Sequence, residues 1–379
     1  MNPRDPHEPH RVASSLELFF DLVFVIGVST ASSELHHAMS EGHAGPGITA
    51  YLMVFFAIWW AWMNFTWFAT SFSVDDWLYR VITIVQMGGM LVLAAGIGPV
   101  FAEQPDFTIV VIAYVVMRVA MVVQWLRASR TDPALRRTAR TYAGGIAVVQ
   151  VLWVGFLFVP GSVQLPAFLA LILAEIAVPI IAERQGTTPW HPHHITERYS
   201  LFTLIVLGES LLASATAIIG AREQVDTLGP LIWIAAVTLV SAAAMWWIYF
   251  WPPHHRMVGT AVQSFAYGYA HYFVFAAAAA FSAGVEAQID ELTGATHLGP
   301  TAASFTTSVP IAVFLLGIWL VAIRRNADRV VNTVVPVGAV LVLLDAALPV
   351  PVTLTAVVLV AIVGVLVMRP PVHADELQG

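Results

Sequence analysis

Residues 47–70 read GITAYLMVFFAIWWAWMNFTWFAT, a stretch of 24 residues without one charged side chain. As an α-helix this stretch would be about 36 Å long, enough to cross a hydrocarbon core of about 30 Å. It therefore predicts a membrane-spanning helix.

The same signal recurs on both sides of this stretch, in apolar segments of roughly 18 to 24 residues. Pro, Gly or charged residues fill most of the gaps, as in GHAGPG, AEQPD and VPGSVQLP. We predict an all-α fold class, a polytopic transmembrane helical bundle with about twelve spans. The spans are expected near residues 16–33, 47–70, 79–99, 107–129, 139–159, 163–182, 197–220, 228–250, 261–285, 303–323, 331–348 and 352–369.

The composition agrees with this class. Of the 379 residues 58% are apolar and 11% are charged, whereas a soluble domain is about 25% charged. The absence of cysteine excludes disulfides, thiolate metal sites and cysteine nucleophiles. The sequence shows no phosphate loop, nucleophile elbow or nucleic-acid-binding module, so the expected partner is the lipid bilayer and no cofactor or nucleic acid is predicted.

Arginine placement predicts the topology. All 17 basic residues are Arg, and with twelve spans and a cytoplasmic start only Arg222 lies in an outer loop, while Arg118 lies within a span. Positive residues concentrate on the cytoplasmic side. We therefore predict that both termini lie in the cytoplasm. The cytoplasmic residues would be Arg4, Arg11, Arg80, Arg127, Arg130, Arg136, Arg137, Arg140, Arg184, Arg198, Arg256, Arg324, Arg325, Arg329 and Arg369.

The two halves of the chain resemble each other. A shift of 181 residues aligns 27–29 with 208–210, a shift of 187 aligns 59–60 with 246–247, and a shift of 188 aligns 95–96 with 283–284. Six spans per half would make parallel repeats about an axis along the membrane normal. The predicted organisation is a cytoplasmic tail (1–15), a first repeat (16–182), a second repeat (183–369) and a cytoplasmic tail (370–379).

Charges near the cytoplasmic end of the bundle form a first candidate site. Glu17 and Asp21 are four residues apart and so share one face of the first span. Asp21 would lie about 9 Å from the cytoplasmic end, and other polar residues fall at a similar depth. The set can be a charge-paired clasp that fixes helix packing, or a site that binds or moves an ion. Its other members are Asn64, Arg80, Glu197 and Arg198.

A second candidate site lies deeper. Arg118, Glu175, Glu209 and His271 fall about 15 to 18 Å from the entry side of their spans, near the midplane. Ionisable residues within a membrane indicate a functional site by default. The alternatives are one buried ion pair with His271 bonded elsewhere, or a polar site or proton relay halfway across the membrane that includes all four and serves an ion or small polar solute.

The histidines and tryptophans are interpreted as ordinary features. The loop histidines 191, 193, 194, 254 and 255 have no metal-ligand spacing, so solvated loops without a metal are predicted. The tryptophans in FFAIWWAWMNFTW and MWWIYFW are expected in the aromatic belt at the membrane interface.

Three segments resemble a known family. SSLELFFDLVFVIGVS (14–29), HHITERYSLFTLIVLGES (193–210) and MWWIYF (245–250) are similar to the bacterial low-temperature-requirement A (LtrA) family. The resemblance implies a multispanning protein of the bacterial cytoplasmic (inner) membrane and supplies no substrate or reaction. The pattern around Glu17 and Asp21 also has a fainter likeness to the two-repeat potassium channels with an FSD-type motif.

The sequence leaves three functional hypotheses open. The first is a secondary transporter of an ion or small polar solute that uses the midplane residues. The second is a cation channel gated around spans 1 and 7, with apolar constrictions such as Ile26 and Leu207. The third is an intramembrane enzyme or lipid-handling factor. A homo-oligomer is compatible with each hypothesis.

Overall fold

The computed structural model describes residues 2–5, 12–222, 228–348 and 351–372, and in these ranges the all-α prediction is confirmed. Arg11 and most of the two predicted tails lie outside the described residues. The long helices are α1 (Ser15–Ser40), α2 (Ala44–Ser71), α3 (Trp77–Ala95), α4 (Thr108–Thr131), α5 (Arg136–Phe156), α6 (Gly161–Glu183), α7 (Pro192–Ala221), α8 (Gly229–Phe250), α9 (Ala261–Thr293), α10 (Pro300–Ile318), α11 (Arg329–Asp345) and α12 (Pro351–Met368).

These helices coincide in order with the twelve predicted spans, but they do not all carry the same membrane signal. Within the described ranges, nine are long and apolar enough to cross a membrane. α5 begins with Arg136 and Arg137, α11 has 17 residues, and the apolar part of α12 is the shorter segment Val352–Met368. A count of twelve crossings therefore stays a prediction.

Large apolar side chains cover the outer faces of several helices. On α5, Val148, Val151 and Leu152 are exposed, and Leu173 on α6 is exposed as well. Water-soluble proteins rarely expose extensive apolar patches. These faces are suited to lipid, in agreement with a membrane bundle.

The chain forms two compact units. The first comprises Met1–Ala31 and Thr49–Tyr199, and the second comprises Ser32–Ile48 and Ser200–Gly379. The boundaries fall within α1, α2 and α7, not in the loop near residue 183 where the sequence divides into halves.

The order of packing within each unit follows the same pattern. In the first unit α3 packs on α4, α4 on α5 and α5 on α6, and in the second α9 packs on α10, α10 on α11 and α11 on α12. Gly96 lies against Ile109 where α3 meets α4, and Gly284 lies against the backbone of Thr306 where α9 meets α10. A duplication would produce this correspondence, although the duplication itself stays a prediction.

Several local features fix the ends of the helices. The side chains of Asp76 and Asp328 accept hydrogen bonds from the first turns of α3 and α11, as N-cap residues do.

A two-residue strand β1 (Asn2–Pro3) pairs antiparallel with β2 (Phe72–Ser73). This pairing holds the start of the chain beside the end of α2.

Candidate functional site

Buried carboxylates and guanidinium groups are few in the part of the chain that the structure describes. They are Glu17, Asp21, Glu175, Asp345, Arg118 and Arg198. All but Asp345 belong to the first unit. Removing a charge from water costs several kcal/mol, so each group needs a counter-charge, hydrogen bonds or a proton.

Glu175 on α6 is surrounded by hydrogen-bond donors from α2, α4 and α5. Its Oε2 atom accepts bonds from Trp60 (2.9 Å) and from Arg118 (3.0 Å). Its Oε1 atom accepts three more, from Tyr114 (2.8 Å), Gln150 (3.1 Å) and Trp153 (3.2 Å). Five donors, one of them a guanidinium, fit a carboxylate anion, so the Arg118–Glu175 pair is electrically neutral and Glu175 is well satisfied.

Arg118 is less completely satisfied than its partner. Its Nη2 atom bonds Glu175, but Nε and Nη1 have no hydrogen-bond partner among the described residues, although both are buried. Its guanidinium carbon lies 5.9 Å from the centre of the Tyr114 ring. Buried donors of this kind call for an acceptor such as an ordered water or a bound solute oxygen.

Asp21 on α1 pairs with Arg198 on α7. Arg198 Nη2 lies 2.6 Å from Asp21 Oδ1, and Nε lies 3.1 Å from Oδ2, which makes a two-point contact. Trp62 Nε1 donates to the same Oδ1 atom at 2.6 Å. Arg198 is therefore the partner of Asp21, and both side chains are fully buried, while the role of the pair as a clasp stays a prediction.

Glu17 joins this pair and also caps α1. Its Oε2 atom accepts the backbone N–H of Ser14 (2.6 Å), while the Ser14 hydroxyl accepts the backbone N–H of Glu17 (3.3 Å). This reciprocal arrangement is a capping box. The Oε1 atom lies 3.1 Å from Nε2 of His194 and 3.3 Å from Nη1 of Arg198. We call Glu17, Asp21, His194 and Arg198 the α1–α7 charge cluster.

The charges of the α1–α7 charge cluster do not balance without a proton. Two carboxylates face one guanidinium, and the fourth member, His194, is neutral or cationic according to its protonation. Ionised carboxylates with a neutral imidazole would leave one net negative charge. The cluster is neutral when one proton is bound, on His194 or on a carboxylate.

A cavity of about 410 Å³ reaches this cluster in the first unit. Glu17 lines the cavity together with Ser14, Asp75, Tyr79 and Arg80. Arg80 pairs with Asp75 at 2.8 Å, and its hydrogen bond lowers the pKa of the Asp75 carboxyl. Glu17 is thus the member of the charge cluster that lies between the cavity and the buried Asp21–Arg198 pair.

The other residues predicted for this end lie beside the cluster. Asn64 donates to the backbone oxygen of Trp60 on its own helix, and the exposed Arg80 bonds Asp75. Glu197 accepts the backbone N–H of Ala13 at 3.2 Å. None of these bonds involves Asp21.

The four residues predicted near the midplane are divided between the two units. Arg118 and Glu175 form their pair in the first unit, and Glu209 and His271 belong to the second. His271 is fully buried and contacts the Tyr249 hydroxyl (3.1 Å) and the Tyr267 backbone oxygen (2.7 Å). Glu209 is half-buried on α7. A single site that includes all four stays a prediction.

The prediction that the loop histidines are solvated is wrong for three of them. His191, His194 and His254 are buried. His254 bonds the Tyr249 backbone oxygen (2.7 Å) and the Tyr267 hydroxyl (3.0 Å), and burial lowers its pKa to about 4. The prediction failed because α7 begins at Pro192, so that His194 lies in its first turn and His191 directly precedes it, and because residues 254–258 form a short 3₁₀ helix.

The tryptophans of α2 also depart from the prediction. Trp59, Trp60 and Trp62 are buried, and the last two donate to Glu175 and Asp21. The indole N–H groups of Trp60 and Trp62 therefore bond carboxylates inside the unit and do not lie at the membrane interface. Trp246 and Trp247 on α8 are exposed, as residues of an aromatic belt would be.

Two residues of chemical interest were missed from the sequence. His194 was assigned to a loop, and Asp345 was not singled out although it lies within the predicted span 331–348. A carboxylate inside an apolar segment was the signal that could have identified Asp345. Among the described residues, no group of three His, Asp or Glu side chains could hold a metal ion.

Long apolar helices with lipid-facing exteriors and paired charges in their interior define a multi-pass integral membrane protein. Residues 12–368 match the family model described as Bacterial low temperature requirement A protein (LtrA), and the chain therefore belongs to the LtrA family. The chain is similar to an uncharacterized protein of Rhizobium meliloti (strain 1021), with 28% identity over 247 residues that cover 63% of this chain and 58% of the relative. The fainter likeness to potassium channels is not supported by these comparisons.

Proposed function

We propose that this LtrA family protein is a proton-coupled secondary transporter of an ion or small polar solute, with the α1–α7 charge cluster as the proton site. The main support for the proposal is that this cluster contains two carboxylates but only one guanidinium. Because the cluster is neutral only with a bound proton, proton binding and release there change the charge of a buried site by one unit.

The position of Glu17 supports a role in proton exchange. Its carboxylate lines the 410 Å³ cavity and also contacts His194 and Arg198. A proton from the cavity can reach Glu17, whose Oε1 atom lies 3.1 Å from Nε2 of His194. Loss of this proton would strengthen the electrostatic attraction between Arg198 and Glu17. The attraction between α1 and α7 would therefore change with protonation. An alternating-access cycle requires such a change in how helices interact.

The Arg118–Glu175 pair suits a different task. The pair is neutral and Glu175 already accepts five hydrogen bonds, so the coupling proton is better assigned to the α1–α7 charge cluster. The Nε and Nη1 atoms of Arg118 could receive the oxygen of a polar solute. We propose Arg118 as a solute contact. Participation of Glu209 and His271 stays a prediction.

The channel hypothesis is less well supported. A constriction on α1 at Ile26 would need this side chain to face inward, but Ile26 is 47% exposed. Leu207 on α7 is buried. Carrier behaviour therefore fits the described residues better than a pore gated at Ile26.

The proposal can be tested with purified protein in liposomes that contain a pH-sensitive dye. A panel of inorganic ions, carboxylates and amino acids is added with and without a pH gradient. At least one solute should move protons with it, and Glu17→Gln and His194→Gln should abolish that movement. Glu197→Gln is the matched control, because Glu197 lies at the start of the same helix and bonds Ala13 outside the cluster.

Two results would overturn the proposal. One is solute-driven proton movement that persists unchanged in Glu17→Gln and His194→Gln. The other is unitary current in planar bilayers for the same protein, which would establish a channel instead.

A further inference from the structure

Asp345, at the end of α11, is a buried carboxylate that, unlike Glu17, Asp21 and Glu175, contacts hydroxyl groups and no guanidinium group among the described residues. It is 4% exposed and lies in the second unit. Thr355 on α12 donates a hydroxyl hydrogen bond to Oδ2 at 2.8 Å, and Ser308 on α10 donates one to Oδ1 at 3.5 Å. Three helices thus bring one carboxylate and two hydroxyls together.

Its surroundings lack the counter-charge that the other buried carboxylates have. Glu175 contacts Arg118, and Glu17 and Asp21 both contact Arg198. Within the described residues, no Arg or His lies within ion-pair distance of Asp345, and the two hydroxyls are its hydrogen-bond partners. An ionised carboxylate in this setting lacks a compensating positive charge.

We propose that Asp345, Ser308 and Thr355 form a binding site for a small monovalent cation of the sodium class. Carboxylate and hydroxyl oxygens are hard ligands that suit alkali and other hard cations. Each hydroxyl can turn its hydrogen away and present a lone pair to the ion. One negative charge matches one monovalent ion, whereas a divalent ion would leave an excess positive charge in the same buried place.

The predicted consequence of binding is a connection among three helices. The oxygens come from α10, α11 and α12, all within the second unit, so an ion held among them would tie these helices together. A ligand that binds only the folded state stabilises it in proportion to its occupancy. The inference does not rest on the proposed transport function, since it concerns binding and stability of the protein at rest.

The test is thermal unfolding of the purified protein in detergent, with sodium chloride replacing choline chloride at constant ionic strength and pH. The unfolding temperature should rise with sodium and reach a plateau. Ser308→Ala and Thr355→Val should each raise the sodium concentration at half effect by about tenfold or more. Asp345→Asn should abolish the effect.

Ser304→Ala is the matched control, because Ser304 is buried on α10 one turn before Ser308 and donates to the Pro300 backbone oxygen. It should respond to sodium like the parent. If Asp345→Asn does not fold, Thr355→Val still decides the question, because it retains the carboxylate and removes one ligand.

A sodium-independent unfolding temperature in the parent protein would overturn the site, and so would equal sodium responses of Ser304→Ala, Ser308→Ala and Thr355→Val. A parent protein that responds to pH and not to sodium, with the pH response lost in Asp345→Asn, would show that Asp345 holds a proton only and would also overturn the proposal.

Discussion

Asp21 and Arg198 make a two-point ion pair at 2.6 and 3.1 Å although 177 residues separate them in the sequence. The pair joins the beginning of α1 to the beginning of α7. Since Trp62 donates to the same carboxylate, the contact also includes α2. This pair connects two of the three segments that resemble the LtrA family, 14–29 and 193–210.

Removing the Asp21 carboxylate should destabilise the protein strongly. Asp21→Ala leaves Arg198 buried without its two-point partner, and we expect a loss of about 3 to 5 kcal/mol in the free energy of unfolding. Asp21→Asn should cost less, because its amide oxygen can still accept from Trp62 or Arg198. Unfolding in detergent measures both. Asp75→Ala, which breaks the exposed pair with Arg80, is the control and should change little. If Asp21→Ala lowered the free energy of unfolding as little as the control does, the clasp role of Asp21 would be contradicted.

Glu175→Gln should be as damaging as the loss of a buried ion pair, about 3 to 5 kcal/mol. The substitution leaves Arg118 without a counter-charge and directs an NH₂ group at side chains that are themselves donors. Trp60→Phe keeps the ring and removes one donor, so about 1 kcal/mol is expected. Glu209→Gln on α7 is the comparison for Glu175→Gln. The prediction fails if both substitutions lower the free energy of unfolding equally.

Acid should weaken the fold through His254. Burial lowers its pKa to about 4 in the folded protein, while the unfolded chain has the ordinary value of about 6.5. Above pH 6.5 the His254 ring is neutral in both the folded and the unfolded state, so its protonation does not lower the free energy of unfolding. As pH falls toward 4, the unfolded state takes up the proton first, and up to about 3 kcal/mol of stability is lost.

The measurement is the unfolding free energy between pH 7 and 4 for the parent and for His254→Gln, which retains a donor toward the Tyr249 backbone oxygen. The variant should show a shallower decline. Parallel curves for the two proteins would show that His254 does not contribute.

The topology can be measured with single cysteines, because the chain has none of its own. Glu41→Cys and Ala134→Cys both replace exposed residues in short connections between helices. An impermeant thiol reagent added outside intact cells should label residue 41 and spare residue 134, as the arginine distribution predicts. The opposite labelling would invert the topology.

Gly284→Ala should loosen the contact between α9 and α10. A Cβ atom at this position would collide with the backbone carbonyl of Thr306, which cannot move as a side chain does. Forced overpacking costs about 1 to 3 kcal/mol. Gly364→Ala on α12 is the control, since a Cβ there meets no atom within 4 Å. Equal thermal unfolding temperatures for the two variants would contradict the close packing of α9 against α10.

The sequence predicted the helical segments and part of the charge pairing. Apolar runs between polar breaks determine where helices lie, so α1 to α12 follow the predicted order. Depth along a helix also placed Asp21 in one set with Arg198, and Arg118 in one set with Glu175, without deciding which members of each set form a pair. A common depth is necessary for contact, and buried charges leave few alternatives.

Depth does not reveal which side of a helix faces which neighbour. Arg80 was expected at a depth similar to that of Asp21, but it is exposed and bonds the exposed Asp75, five residues earlier. Trp60 and Trp62 carry the composition of an interface belt yet point at carboxylates inside the unit. Such choices depend on tertiary packing, which the residue pattern of a single sequence does not specify.

The donor shell of Glu175 has a consequence for how the protein is made. Trp60, Tyr114, Arg118, Gln150 and Trp153 all leave the ribosome before their acceptor does, since α6 follows α2, α4 and α5 in the chain. Until α6 enters the bilayer, these five donors lack the oxygen atoms that they bond in the finished structure. The early helices are therefore an incomplete assembly during translation, and a nascent chain that stalls before residue 175 should be a preferred substrate for membrane quality-control proteases.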